Sequence, residues 1–153
     1  MLVPLYNYRI GNFMIALEHI NLVVRDLKAT LAFYQAAFPH WRIRAEGDRE
    51  WHGKPSHWIH FGDDYTYLAF SDHGEGNNRD LEGHTVGLAH FAFTVNNLDS
   101  IIKRLESKGY SIAIAGAESS VRKNCYFLDP NGYEIEFVEY LSDIPEIRNS
   151  MVL

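Results

Sequence analysis

Two stretches of this chain repeat one another at a fixed displacement, and that repeat restricts the fold more than any other feature. "LEHINLVVRDL" covers residues 17–27 and "LAHFAFTVNNL" covers 88–98. Laid together without a gap, Leu17 falls on Leu88, His19 on His90, Val24 on Val95 and Leu27 on Leu98, 71 positions apart throughout. Two copies are too few for a solenoid, so the pattern reads as duplication of one supersecondary unit. Each copy alternates as a half-buried strand does. In the first, Ile20, Leu22 and Val24 form the bulky face; in the second, Phe91, Phe93 and Val95 do. His19 and Asn21, and His90, Ala92 and Thr94, lie on the opposite faces.

A helix is expected after each strand. In "DLKATLAFYQAAF" a stripe of Leu27, Leu31, Tyr34 and Phe38 follows an N-cap at Asp26. In "NLDSIIKRLESKGY" the stripe is Leu98, Ile101, Ile102 and Leu105, with Asn97 as N-cap and Gly109 at the C-terminal end. Three strands then follow each helix, near 41–46, 55–61 and 64–71, and near 110–115, 122–128 and 133–140. The fold class is therefore α+β: two tandem βαβββ modules, 15–71 and 87–140, forming a cupped, partly open mixed sheet with helices outside. The stretch 72–86, "DHGEGNNRDLEGHTV", is polar and glycine-rich, as a linker between modules should be. One domain over 14–140 results, with an N-terminal extension at 1–13 and a tail at 141–153.

Composition removes several function classes. A net charge of −6 with no basic run argues against binding to nucleic acid or an anionic membrane. No apolar run approaches the length of a membrane span. The opening "MLVPLYNYRIGNF" lacks the basic flank and apolar core of a secretory signal. The single cysteine, Cys125, permits neither an intrachain disulfide nor a cysteine-rich zinc site, and it suits a cytoplasmic setting. Cys125 itself reads as a buried, inert thiol.

Taken singly, His19 and His90 would each pass for a satisfied core histidine. As a repeat-matched pair they gain weight from the last strand. "CYFLDPNGYEIEFVEY" turns at Asp129-Pro130-Asn131-Gly132 and re-enters with Glu134, Glu136, Val138 and Tyr140 on one face. A carboxylate in mid-strand, between Ile135 and Phe137, is costly unless paired or bound to a metal. Two histidines and a carboxylate, with positions left open, suit a divalent first-row metal.

The segments "HINLVVRDLKATLAFYQAAF", "LAHFAFTV" and "YFLDPNGYEIEFVEY" resemble the vicinal oxygen chelate superfamily. That group includes glyoxalase I, fosfomycin-resistance thiol transferases, extradiol dioxygenases and bleomycin-binding proteins. Carried over residue by residue, the resemblance implies metal ligands at His19, His90 and Glu136, holding one divalent ion (Mn, Fe, Zn or Ni). Glyoxalase I adds a fourth ligand, a glutamate on the last strand of the first module. In "YTYLAFSD" the place falls to Tyr67, Leu68 or Ala69, so methylglyoxal–glutathione isomerisation is expected to be weak or absent. Extradiol dioxygenases share a tyrosine ten residues before the glutamate, where Tyr126 stands.

The expected function is a metal-dependent enzyme acting on a small oxygenated substrate, of lyase, thiol transferase or dioxygenase type. The alternative is a non-catalytic protein that sequesters a small molecule, as bleomycin-binding relatives do. Tyr126, as hydrogen-bond donor, and Arg122, as anion partner, are the candidate catalytic residues. Asn21, Trp58 and Tyr67 are candidate substrate contacts. In several relatives the paired modules come from two chains, so a homodimer is expected here.

Overall fold

The computed structural model describes residues 16–150. The extension at 1–13 and the end of the tail, 151–153, lie outside the described residues. Each module forms its own four-stranded mixed sheet. In the first, β1 (His19–Val23) pairs in parallel with β4 (Tyr67–Ser71), and β3 (Lys54–Gly62) and β2 (Arg42–Trp51) add antiparallel, giving the order β1-β4-β3-β2. In the second, β5 (Phe91–Val95), β8 (Glu134–Tyr140), β7 (Arg122–Leu128) and β6 (Ile112–Glu118) repeat that order and those directions. The expected cup is thus two open sheets, one per module.

The helices start where the caps dictate. The Asp26 carboxylate accepts from the Ala29 amide at the head of α1 (Leu27–Ala37), and the Asn97 carbonyl accepts from the Ser100 amide at the head of α2 (Leu98–Ser107). Gly109 follows α2 at φ 86, a left-handed position that costs glycine little. The buried stripe of α1 differs in detail from the expected one. Thr30, Phe33, Tyr34 and Ala37 are buried, while Leu27 and Leu31 are only half covered.

The strand near 41–46 extends much further, to Trp51. His52 and Gly53 both adopt positive φ, 48 and 83, and Trp51 pairs with Lys54. This is the backbone of a two-residue hairpin turn, which carries β2 straight into β3.

Both sheets turn their bulky faces toward the helices. Phe33, Phe61, Phe70, Phe127, Phe137 and Leu105 are fully buried in one core drawn from both modules. Helices α1 and α2 touch, and Phe38 and Trp41 reach across to Phe93. The turn Asp129–Gly132 fastens the halves together. Asp129 accepts from the Tyr34 hydroxyl and from the Asn131 and Tyr133 amides. Asn131 accepts from the Arg25 amide and donates to the Thr30 hydroxyl, and the Tyr133 hydroxyl donates to the Val23 carbonyl. The histidine-bearing faces point the other way, toward solvent.

Candidate metal centre

Strand register sorts the expected site residues into two groups. On the second module, Glu136 lies opposite Ala92 on one side and Tyr126 on the other, so one row across the sheet reads Ala92–Glu136–Tyr126–Ile114. His90 Nε2 is 3.3 Å from a Glu136 oxygen, and its Nδ1 is 3.7 Å from Glu134. The rings of His90 and Tyr126 are 5.5 Å apart. Arg122 lies opposite Tyr140, at the far end of the same face.

Burial, and then the Glu136 charge, push the Tyr126 phenol above its ordinary range, so it keeps its proton at neutral pH and can donate. Glu136 has its own clamp. Asn124 Nδ2 donates to Glu136 Oε1 at 2.6 Å and to the Tyr126 hydroxyl at 3.3 Å. Asn124 fits because its neighbour on β6 is Gly116, where a methyl group would collide with the Asn124 backbone and amide. Asn124 is not among the expected site residues. Its signal was available: it stands two residues before Tyr126, on the same strand face.

His19 heads the other group. It lies opposite Tyr67 and stacks on it, with ring centroids 4.7 Å apart. Its Nδ1 bonds to Glu18 at 2.9 Å. Asn21 is opposite Ala69, and Trp58 is opposite Ser71. All three expected substrate contacts, Asn21, Trp58 and Tyr67, therefore share a face with His19. Two residues not among the expected contacts join this face: Arg44, whose guanidinium lies 4.7 Å above the Tyr67 ring, and Arg49, which donates to the Ser71 hydroxyl at 2.8 Å.

The two groups do not meet within one chain. Among the described residues, no three His, Cys, Asp or Glu side chains gather as a metal-binding set. The reason is packing: the modules join through their helix-covered faces, which leaves the His19 face and the His90 face on two separate open surfaces. The donor chemistry of His90 and Glu136 fits a divalent ion, but only as part of a ligand set. Elsewhere, Glu134 is a half-buried neighbour of His90. His57 sits on the helix-side face between Asp48 and Glu46. Cys125 is buried, and burial pushes its thiol up to about 11, as expected of an inert cysteine.

The family model described as the Glyoxalase/Bleomycin resistance protein/Dioxygenase superfamily matches residues 16–137. The chain belongs to that superfamily. It resembles the glyoxylase/bleomycin resistance protein/dioxygenase domain from Frankia sp. EAN1pec with a TM-score of 0.70 at 20% identity, over 87% of this chain and 97% of that one. The fosfomycin resistance protein FosX from Listeria monocytogenes, solved with Mn(II) and sulfate, gives a TM-score of 0.58 at 22% identity, over 83% and 93%. These likenesses are likenesses of fold. The lactoylglutathione lyase of Schizosaccharomyces pombe is 35% identical over 64 residues, which make up 42% of this chain and only 21% of that protein.

Ala69 pairs with Asn21 as Glu136 pairs with Ala92, so Ala69 is the first-module counterpart of Glu136. No helix among the described residues is long and apolar enough to cross a membrane.

Proposed function

We propose that this protein is a divalent-metal enzyme that works as a homodimer, each site joining the His19 face of one copy to the His90–Glu136 face of the other. The observation that carries this reading is the division of the ligand set. His90 and Glu136 stand 3.3 Å apart on one open face, and His19 lies on another. Complementary charge supports the pairing of those faces. The first carries Arg44 and Arg49; the second carries Glu134 and Glu136 at its centre, with Arg122 at its far end. Exposed apolar groups flank both, including Leu17 and Val23 on one side and Leu88 and Ile114 on the other.

His19, His90 and Glu136 would hold the ion, with Asn124 fixing the carboxylate. When bound, a divalent ion of the Mn, Fe, Zn or Ni type polarises a coordinated oxygen as a Lewis acid. The chain's own residues do the rest. Tyr126 donates its hydroxyl hydrogen toward an oxygen gaining negative charge. Arg122 offers a cation at the rim for an anionic substituent. Asn21, Trp58 and Tyr67 line the opposite wall. With Ala69 in place of a fourth carboxylate, the site suits addition of a thiol or water to a small oxygenated substrate, or opening of a catechol-like ring, rather than the glyoxalase I reaction.

The test is elemental analysis of the dimer purified without added metal. Near-stoichiometric metal in the wild type, lost in His90→Ala and in His19→Ala, supports the proposal. Absence of metal, with no affinity for added divalent ions, overturns it in favour of a sequestering protein. Robust glyoxalase I turnover, lost in Glu136→Ala, overturns the assignment of reaction class.

A further inference from the structure

The extension of β2 to Trp51 carries Arg49 onto the face that bears His19. Arg49 pairs with Ser56 of β3, two places along from the row Val23–Ser71–Trp58–Gly47. Its side chain crosses β3 to reach β4, where Nη2 donates to the Ser71 hydroxyl at 2.8 Å. The guanidinium lies 4.9 Å from the centre of the Trp51 ring. Trp51 in turn stacks on His73 at 5.6 Å, and His73 Nδ1 meets the Ser56 hydroxyl at 3.1 Å. Ser56 and Ser71 are both buried. The cation is therefore anchored on both sides rather than free to swing in solvent.

Its charge has no counterpart. Among the described residues Arg42 pairs with Asp64 and Lys54 with Glu75, but no carboxylate pairs with Arg49. Only one N–H of its guanidinium finds an acceptor there, and Nε is buried with none. Holding such a half-buried group in place is unfavourable unless something completes it, and an anion does so best. The edge formed by Nη1 and the second hydrogen of Nη2 matches the two oxygens of a carboxylate. A dianion such as phosphate would keep half its charge uncompensated, since Arg44 is engaged over Tyr67, four residues along β4 from Ser71. The carboxylates of a second copy are no substitute. Glu134 and Glu136 stand beside His90 on their own face, and Glu136 also takes the Asn124 amide.

We propose that Arg49 is a substrate-binding residue that reads a carboxylate, so that the substrate of this site is an elongated molecule with its oxygen-bearing head at the His19 end and a carboxylate at Arg49. This rests on the metal-holding dimer proposed above. Register sets the length. His19 stands opposite Tyr67, and Ser71 follows four residues along the same strand, roughly 13 Å at about 3.3 Å per residue. Between the two ends lie the Ala69 methyl group and the half-buried rings of His60 and Trp58, an apolar and aromatic floor. Gly47 lets Trp58 lie down on that floor, because a methyl group there would come within 3.0 Å of the indole. No covalent bond changes at Arg49; it selects the substrate and fixes its direction across the sheet.

Two hydroxamates of equal chain length test this. Octanohydroxamic acid ends in a methyl group and suberic acid monohydroxamate in a carboxylate. Each is titrated calorimetrically into zinc-loaded dimer, and the ratio of the two affinities is read. Wild type should favour the carboxylate probe by about tenfold or more, the scale of a charge-assisted pair. Arg49→Gln should bring the ratio near one. Arg49→Lys, which keeps the charge but not the fork, should recover only part of it. In the wild type alone, NMR of the arginine side chains should show the Arg49 N–H signals moving with the carboxylate probe and not with the methyl one; this reading needs no variant to fold.

A wild-type ratio near one, or a preference kept in full by Arg49→Gln, overturns the proposal and leaves the metal site standing, as do Arg49 signals that stay still. If Arg49→Gln sediments as a monomer, the guanidinium belongs to the contact between copies and the carboxylate assignment falls. If the wild type holds no zinc, the metal-site reading fails and takes this inference with it.

Discussion

The most consequential residue outside the expected ligand set is Asn124. Its amide holds Glu136 by a 2.6 Å bond and leaves its own Oδ1 buried without a partner. A group that orients a metal-binding carboxylate typically accounts for about 10–100-fold in metal affinity. Asn124→Leu, similar in size, should lower affinity for added Mn(II) or Zn(II) by that factor, read by competition with a chelating dye. Unchanged affinity would remove Asn124 from the site.

Cys125 gives a second residue-scale expectation. With its thiol buried and pushed up to about 11 by burial and then by the Glu136 charge, it should resist iodoacetamide near neutral pH and react fully once unfolded. His57 gives a third. Hydrogen bonds to Asp48, then Glu46, raise its pKa, so the stability it lends is complete below the unfolded value of ~6.5 and fades as pH rises through the folded value. The stability gap between wild type and Asp48→Asn, measured by urea denaturation, should therefore narrow as pH climbs above that range. Asn124 shares a strand face with Tyr126 in the sequence, but only the folded sheet sets its amide against Glu136. His60 was visible as a face-mate of Trp58, but only the strand register sets it beside Ala69.

Among the elements, the helices and the first and last strands of each module were legible because each carries its own local signal. Asp26 and Asn97 cap where their spacing to the apolar stripes demands, and Glu136 falls on the face that alternation assigns it. The length of β2 was not legible. His52-Gly53 supplies the hairpin turn, but histidine is an uncommon occupant of a left-handed position, so the turn carried no clear cue.

The Asp129–Gly132 turn, part of the last segment that resembles the superfamily, proves to be the fastener between the modules. Asp129 is buried, and burial raises its carboxyl despite the bonds it accepts. Removing it strands the Tyr34 hydroxyl and two backbone amides. At about 1–3 kcal/mol for each buried polar group left unsatisfied, with partial relaxation, Asp129→Ala should cost roughly 3 kcal/mol or more in urea denaturation. A loss below about 1 kcal/mol would mean that the turn does not hold the halves together.

At the scale of the whole molecule, the duplicated sequence is silent on whether two modules face each other within a chain or between chains. Internal repeats fix equivalence, not adjacency. The packing of α1 on α2 and of Phe38 on Phe93 leaves the His19 and His90 faces outward. A dimer closing both should bury roughly 2,000 Å² or more. Its thermal midpoint should rise with protein concentration, as binding linkage requires. A monomer in sedimentation at micromolar concentration would sink the shared-site reading.

The division of the ligands between two open faces also has a genetic consequence. In the proposed dimer, each site draws its first histidine from one copy and its second histidine and glutamate from the other. A chain with His19→Gln and a chain with Glu136→Gln are each inactive alone. Paired, they place both lesions in one site and leave the other wholly intact. Two null alleles expressed together should thus rescue one another, reaching about a quarter of wild-type metal content under random pairing, whereas two lesions on the same face, His90→Gln and Glu136→Gln, should never complement.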